Sequence, residues 1–187
     1  PHIHYGDWPD FNGVNGVATD AGGAYAGETA WTGSGGGQSA IEPEPTYQSN
    51  LGIPSDSLGL RGLPDVAYDA DPASGFAVYD SYGYAGQSGW FVVGGTSAGA
   101  PQWSALIAIA NSARIARGKT TLNAVSAIQS VLYGLASSAY ATNFRDIVSG
   151  SNGACGTLCT AATGYDYVTG LGRPIAANLV QALIAAP

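Results

Sequence analysis

Apolar positions follow two different patterns on either side of residue 95. Upstream they come in short runs separated by glycine, proline and small polar residues. Gly13 to Thr19, Asp65 to Ala67, Phe76 to Tyr79 and Trp90 to Val93 read as strands, the last two because they are aromatic and β-branched. Gly33 to Gly37 (GSGGG) and the proline-spaced Glu42 to Pro45 read as loop or extended chain. Downstream the spacing becomes helical. Ala100 to Arg117 carries Trp103, Leu106, Ile107, Ile109 and Ile115 almost all round, which predicts a buried helix. Leu122, Val125, Ile128 and Leu132 predict a second helix over Thr121 to Ser137. Pro174 to Ala186, with proline in its first turn, predicts a third. Strands, then a buried helix, then further helices predict an α/β layered domain.

Length and charge narrow the classes. The 187 residues suit one domain, spanning 1–187, with no repeat of fixed period. Six basic against thirteen acidic residues give a net charge of −7, so no basic stripe exists to neutralise phosphates and a nucleic-acid partner is excluded. The longest apolar run, around Ala105 to Ala110, is far short of the ~20 residues that span a bilayer, which excludes a membrane helix. So few basic groups limit the positive charge that accumulates when carboxylates protonate, which suits acidic surroundings; an ordinary Gly/Ser/Ala-rich secreted domain is the alternative. The chain opens with Pro1 and contains no methionine, which reads as a processed or excised piece.

Val92-Val93-Gly94-Gly95-Thr96-Ser97-Ala98-Gly99-Ala100-Pro101 is the sharpest local signal. A β-branched strand runs through two glycines into a helix, and Ser97 falls at the helix N-terminus. There the dipole and free N–H groups stabilise negative charge on a hydroxyl or an adjacent oxyanion. Ser97 is thus a candidate nucleophile, with a plain N-cap as the competing explanation.

The block Gly95-Thr96-Ser97-Ala98 with Pro101 resembles the serine motif of the sedolisins, the serine-carboxyl peptidases of subtilisin-like fold. The likeness extends to Glu28-Thr29-Ala30-Trp31, Ser34 to Gly37 and Pro45 to Gln48. It continues in Arg61 to Val66, Asp69 to Pro72, Gly75 to Tyr79, Phe144 to Ile147 and Gly164 to Gly172. It covers residues 28–187 and leaves 1–27 as a divergent N-terminal segment. The resemblance implies a partial subtilisin-like α/β layered fold, the C-terminal half of the catalytic domain, with a parallel-rich sheet and a buried helix after the serine turn. It implies an acid-acting endopeptidase that is secreted and takes peptide or protein substrates.

By the same resemblance, calcium is held by Asp146, the carbonyls of Ile147, Ala162 and Gly164, and Asp166. Oxygen donors on small residues suit a hard cation. Two turn-capping aspartates are the simpler alternative. Cys155 and Cys159 lie inside this loop and are too few for a zinc site. In a secreted chain they pair as a disulfide; in a cytosolic one they stay free thiols.

The family's base, a glutamate and an aspartate four residues apart on one helix, has no counterpart among these residues. Glu42 and Glu44 sit among prolines, which exclude the helix. The resemblance therefore implies a missing N-terminal half, or a homo-oligomer, that covers the exposed sheet edge and apolar helix faces. Asp7 is the candidate for the oxyanion-stabilising aspartate, acting in its protonated form. Two other readings stay open. One is an esterase or glycosidase-like hydrolase using Asp69, Asp71, Glu42 or Glu44 as base. The other is a non-catalytic, calcium-stabilised binding domain. His2 and His4 alternate on one strand face but are too few for a metal site. Tyr5, Trp8 and Phe11, with Tyr79, Tyr82 and Tyr84, are candidates for an aromatic binding surface, against ordinary half-buried packing.

Overall fold

A computed structural model describes residues 27–54, 59–123 and 127–187, together with Tyr25 and the backbone of Val14–Asn15. Among the described residues there are four two-stranded sheets and four α-helices. Strand β1 (Val14–Asn15) pairs with β2 (Thr29–Ala30), and β3 (Gly37–Pro43) pairs with β4 (Leu60–Leu63) around helix α1 (Thr46–Leu51). Strand β5 (Phe76–Tyr84) and β6 (Gln87–Val93) form a hairpin that leads into α2 (Gly99–Ala116). Helix α3 (Ala127–Asn143) and the pair β7 (Phe144–Arg145) and β8 (Arg173–Pro174) follow, before α4 (Ala176–Ala185).

All four strand pairs are antiparallel, which corrects the expected parallel-rich sheet. The cause is local in the strand that feeds the serine. Only Ala85 and Gly86 join β5 to β6, with φ of 51° and 80°. A two-residue turn of this hand forces antiparallel return, whereas parallel strands need a long crossover. Parallel character survives as one isolated bridge between Ala30 and Gly150.

The core lies among α2, α3 and α4. Trp103 and Ala110 of α2 pack with Leu132 and Tyr133 of α3 and with Leu179 and Leu183 of α4. Helix α2 is buried along one stripe (Gly99, Trp103, Ala110, Arg114), while Ile109 and Ile115 are exposed. The expectation of an all-round buried helix therefore holds for one face. Arg114, fully buried, makes that stripe possible despite its charge. Its guanidinium donates to the carbonyls of Thr120, Leu183, Ala186 and Pro187, satisfying the end of α4 where the helix dipole is negative.

Other boundaries moved for physical reasons. Helix α3 begins later than Thr121 because the Asn111 side chain bonds the backbone N–H and C=O of Leu122, holding that residue outside the helix. Asp65 to Ala67 forms no strand: Pro64 has no N–H to continue the ladder, and β4 ends before it. Pro174 belongs to β8, and α4 starts two residues on. Tyr79, Tyr82 and Tyr84 stand exposed on the hairpin with Trp90, Val92 and Val93, so the half-buried expectation fails for them.

Candidate active site

Ser97 sits in a 3₁₀ turn, Thr96–Ala98, between the end of β6 and the start of α2. Two glycines shape the approach. Gly95 has φ of 118°, a conformation that side chains disfavour. A Cβ on Gly94 would lie 2.5 Å from the Pro72 backbone nitrogen, so only glycine lets these two segments touch. The Gly95 N–H donates to the Ala70 carbonyl at 2.6 Å, and the Ala98 N–H donates to the Gly95 carbonyl at 2.9 Å. The serine is exposed, and no side chain caps either the 3₁₀ turn or α2. The N-cap explanation for Ser97 therefore fails. A cavity of about 300 Å³, lined by Tyr68, Ala70, Thr96, Gly99, Trp103 and Val168, opens beside the turn.

Three of the four candidate bases make other contacts. Glu42 faces Arg61 at 3.6 Å. Asp71 caps its own turn by accepting the Ala73 N–H at 2.8 Å. Asp69 is buried; its Oδ1 accepts the Ser74 hydroxyl at 2.9 Å, and burial pushes its carboxyl up to about 6. Among the described residues no hydrogen bond joins any carboxylate to Ser97, and none of the four helices carries an Asp or Glu. Asp7, His2, His4, Tyr5, Trp8 and Phe11 lie outside the described residues.

Asp146 and Asp166 converge on one short backbone segment. Asp146 Oδ2 accepts the Gly164 N–H at 2.8 Å, and its Oδ1 accepts the Tyr140 hydroxyl at 3.1 Å. Asp166 Oδ2 accepts the Ala162 N–H at 2.9 Å, while Oδ1 accepts the N–H groups of Val168 and Thr169. Burial raises the Asp166 carboxyl above the usual range, against these bonds, which favour the ionised form. Neither acid pairs with a cationic side chain among the described residues. Nor do three or more His, Cys, Asp or Glu side chains gather there. A cation would thus rely on the two carboxylates plus the carbonyls of Ile147, Ala162 and Gly164, an all-oxygen set suited to calcium. Ile147 is buried against Ala67, which ties this region to the segment under α2. Cys155 and Cys159 are bonded to each other in the loop between the two acids.

A second polar cluster had little local signal: Arg61 and Asp65 are four residues apart, but Gln48 and Tyr133 join them from far along the chain. Asp65 accepts from Tyr133 at 2.9 Å and from Arg61 at 2.6 Å, and buried Gln48 bridges Tyr133 and the Gly62 backbone. Likewise, Arg173 donates to Glu28 in a buried ion pair that joins the two ends of the described fold.

No family model matches the chain. Kumamolisin of Bacillus sp. (strain MN-32) is 37% identical over 169 residues, covering 84% of this chain and 28% of its own length. Sedolisin of Pseudomonas sp. (strain 101) is 34% identical over 165 residues, covering 82% and 25% respectively. The solved structure of Pseudomonas sedolisin, a serine-carboxyl proteinase complexed with two molecules of pseudo-iodotyrostatin, matches with a TM-score of 0.72 at 30% identity. That match covers 94% of this chain and 45% of the other. The chain spans about a quarter of the length of these curated relatives. On these matches the chain belongs to the sedolisin family, of whose members it spans a part.

Proposed function

We propose that the polypeptide containing these residues is an acid-acting serine-carboxyl endopeptidase with Ser97 as its nucleophile. One observation carries the reading: the Ser97 hydroxyl is exposed at the strand-to-helix junction and spent on no cap. Its oxygen attacks the substrate carbonyl and loses its proton to a carboxylate; the carboxyl so formed gives that proton to the leaving amine as the C–N bond breaks, and water then releases the acyl group. A carboxylate base stays partly ionised in acid, where histidine is protonated. With no acid on any described helix, that base pair comes from the part of the family's length that this chain does not span, in the same polypeptide or another. N–H groups at the start of the 3₁₀ turn and α2 favour developing negative charge. Asp7, protonated, is the proposed oxyanion donor.

Calcium at Asp146, Ile147, Ala162, Gly164 and Asp166 is the proposed structural ion. Two carboxylates without cationic partners, converging on residues 162–164, support it. When bound, it neutralises both acids. The exposed apolar hairpin and the outer face of α2 fit coverage by the remainder of the catalytic domain, or by a second copy. Secretion fits the acidic composition and the disulfide. Among the described residues no helix is long and apolar enough to cross a membrane.

The test is peptide hydrolysis by the complete polypeptide as a function of pH. The reading predicts a rate that rises below about pH 5. It also predicts retention of activity in Asp71→Asn and Glu42→Gln. Ester or glycoside hydrolysis by the 187 residues alone, lost on one of those changes, would establish the other hydrolase class instead.

A further inference from the structure

Asp69 is 1% exposed, and the mechanism makes no use of it. Its Oδ1 holds the Ser74 hydroxyl, while its Oδ2 is buried with no hydrogen-bond partner among the described residues. The turn that starts here is tightly closed. Ser74 and Gly75 donate their N–H groups to the Asp71 carbonyl, and Ala73 donates to the Asp71 side chain. This turn is also the seat of the serine loop. Ala70 accepts the Gly95 N–H, and Pro72 fills the space that a side chain on Gly94 would need. The residue that accepts the Gly95 N–H is therefore the immediate neighbour of the buried carboxyl, and Gly95 lies two positions before Ser97.

No lysine, arginine or histidine compensates an ionised Asp69 among the described residues. Asp71, on the same turn, is the charged group that bears on it, and it does so unfavourably. The serine turn, α2 and the β5–β6 hairpin bring no titratable group that bears on it. A buried carboxylate without a cationic partner is costly; the Ser74 hydroxyl and backbone bonds at Asp71 and Ala70 offset part of that cost, and protonation removes the rest.

We infer that Asp69 is a pH-sensitive positioning residue for Ser97: its neutral carboxyl keeps the 69–75 turn seated against Gly94 and Gly95, and its ionisation loosens that seat. Burial places the change near pH 6. The inference rests on the peptidase reading for its purpose: the loop would be held firm in the acidic range in which such an enzyme works. Its physical content does not depend on turnover.

The experiment is an NMR titration of the isotopically labelled chain from about pH 4 to about pH 8, bracketing the carboxyl's transition. The Asp69 carboxyl carbon and the amides of Gly94, Gly95 and Ser97 should titrate together with a midpoint near 6. Beyond the intrinsic pH effect, exchange of the Gly95 amide should become roughly tenfold faster on the ionised side. In Asp69→Asn those amides should stop titrating and should sit at neutral pH where the parent's sit in acid. Should that variant fail to fold, Ser74→Ala decides. Losing the hydroxyl that favours the ionised form must move the shared midpoint upward. A Gly95 amide indifferent to the titration of Asp69, or a midpoint unmoved by Ser74→Ala, overturns the proposal. Because no readout uses peptide cleavage, an inactive chain leaves the result intact.

Discussion

The indole N–H of Trp103 donates to the carbonyl of Ala67 at 3.0 Å, across 36 positions of sequence. That bond fixes the N-terminal part of α2, which follows Ser97, onto an irregular segment that has no ladder of its own. The segment needs such a clasp: among the described residues, Ala67 otherwise bonds backbone to backbone only through its N–H to the Gly172 carbonyl. Trp103→Phe keeps an aromatic ring in the core but leaves a buried carbonyl without its donor. The expected loss is about 2 kcal/mol in urea unfolding, combining the orphaned acceptor with the reduced packing. A change within a few tenths would show that water or a neighbour replaces the indole.

Asp69 gives stability a definite slope with pH. Its folded-state pKa, about 6 against an ordinary 3.8, is raised, so between those values the native state binds more protons than the unfolded chain. Stability from this group is therefore complete below about pH 4 and lost as pH rises to about 6. At 1.36 kcal/mol per pH unit, the raised pKa corresponds to up to about 3 kcal/mol. Asp166, also raised by burial, contributes in the same direction. Comparing the parent with Asp69→Asn isolates the first term: the variant's stability should fall less steeply across this window. Parallel curves would remove Asp69 from the account.

Calcium should stabilise the fold because the two acids meet residues 162–164 only in the native state. At a hundredfold excess over Kd the gain is about 2.7 kcal/mol. For a chain of this size that is roughly 5–10 °C in melting temperature. Chelator should reverse it, and Asp146→Asn should abolish the response. A melting temperature indifferent to both calcium and chelator would leave Asp146 and Asp166 as turn caps.

Where sequence and structure agree, the governing interactions are local. The glycine pair before Ser97, the β-branched run of β6 and the helical spacing after residue 99 each act within a few residues, and each is legible. The direction of strand pairing is less so. Ala85 and Gly86 encode a tight return, but the likeness to a parallel-sheet fold masks it. The covered face of α2 is invisible in an almost uniformly apolar helix; only the placement of Arg114 and Trp103 against α4 and Ala67 reveals it. The burial of Asp69 arises from a turn folded over it by residues 71–75, and nothing in the string Tyr68-Asp69-Ala70-Asp71-Pro72 distinguishes the buried acid from the half-buried one.

Trapping the acyl-enzyme tests Ser97 as the nucleophile. The complete polypeptide is mixed with peptide substrate at acid pH, quenched within a turnover, digested and analysed by mass spectrometry. The acyl mass is expected on the fragment containing Ser97, and Ser97→Ala should lose both the adduct and roughly 10⁴-fold or more of turnover. An acyl group on another residue, or turnover that survives the substitution, would contradict the assignment of Ser97 as nucleophile.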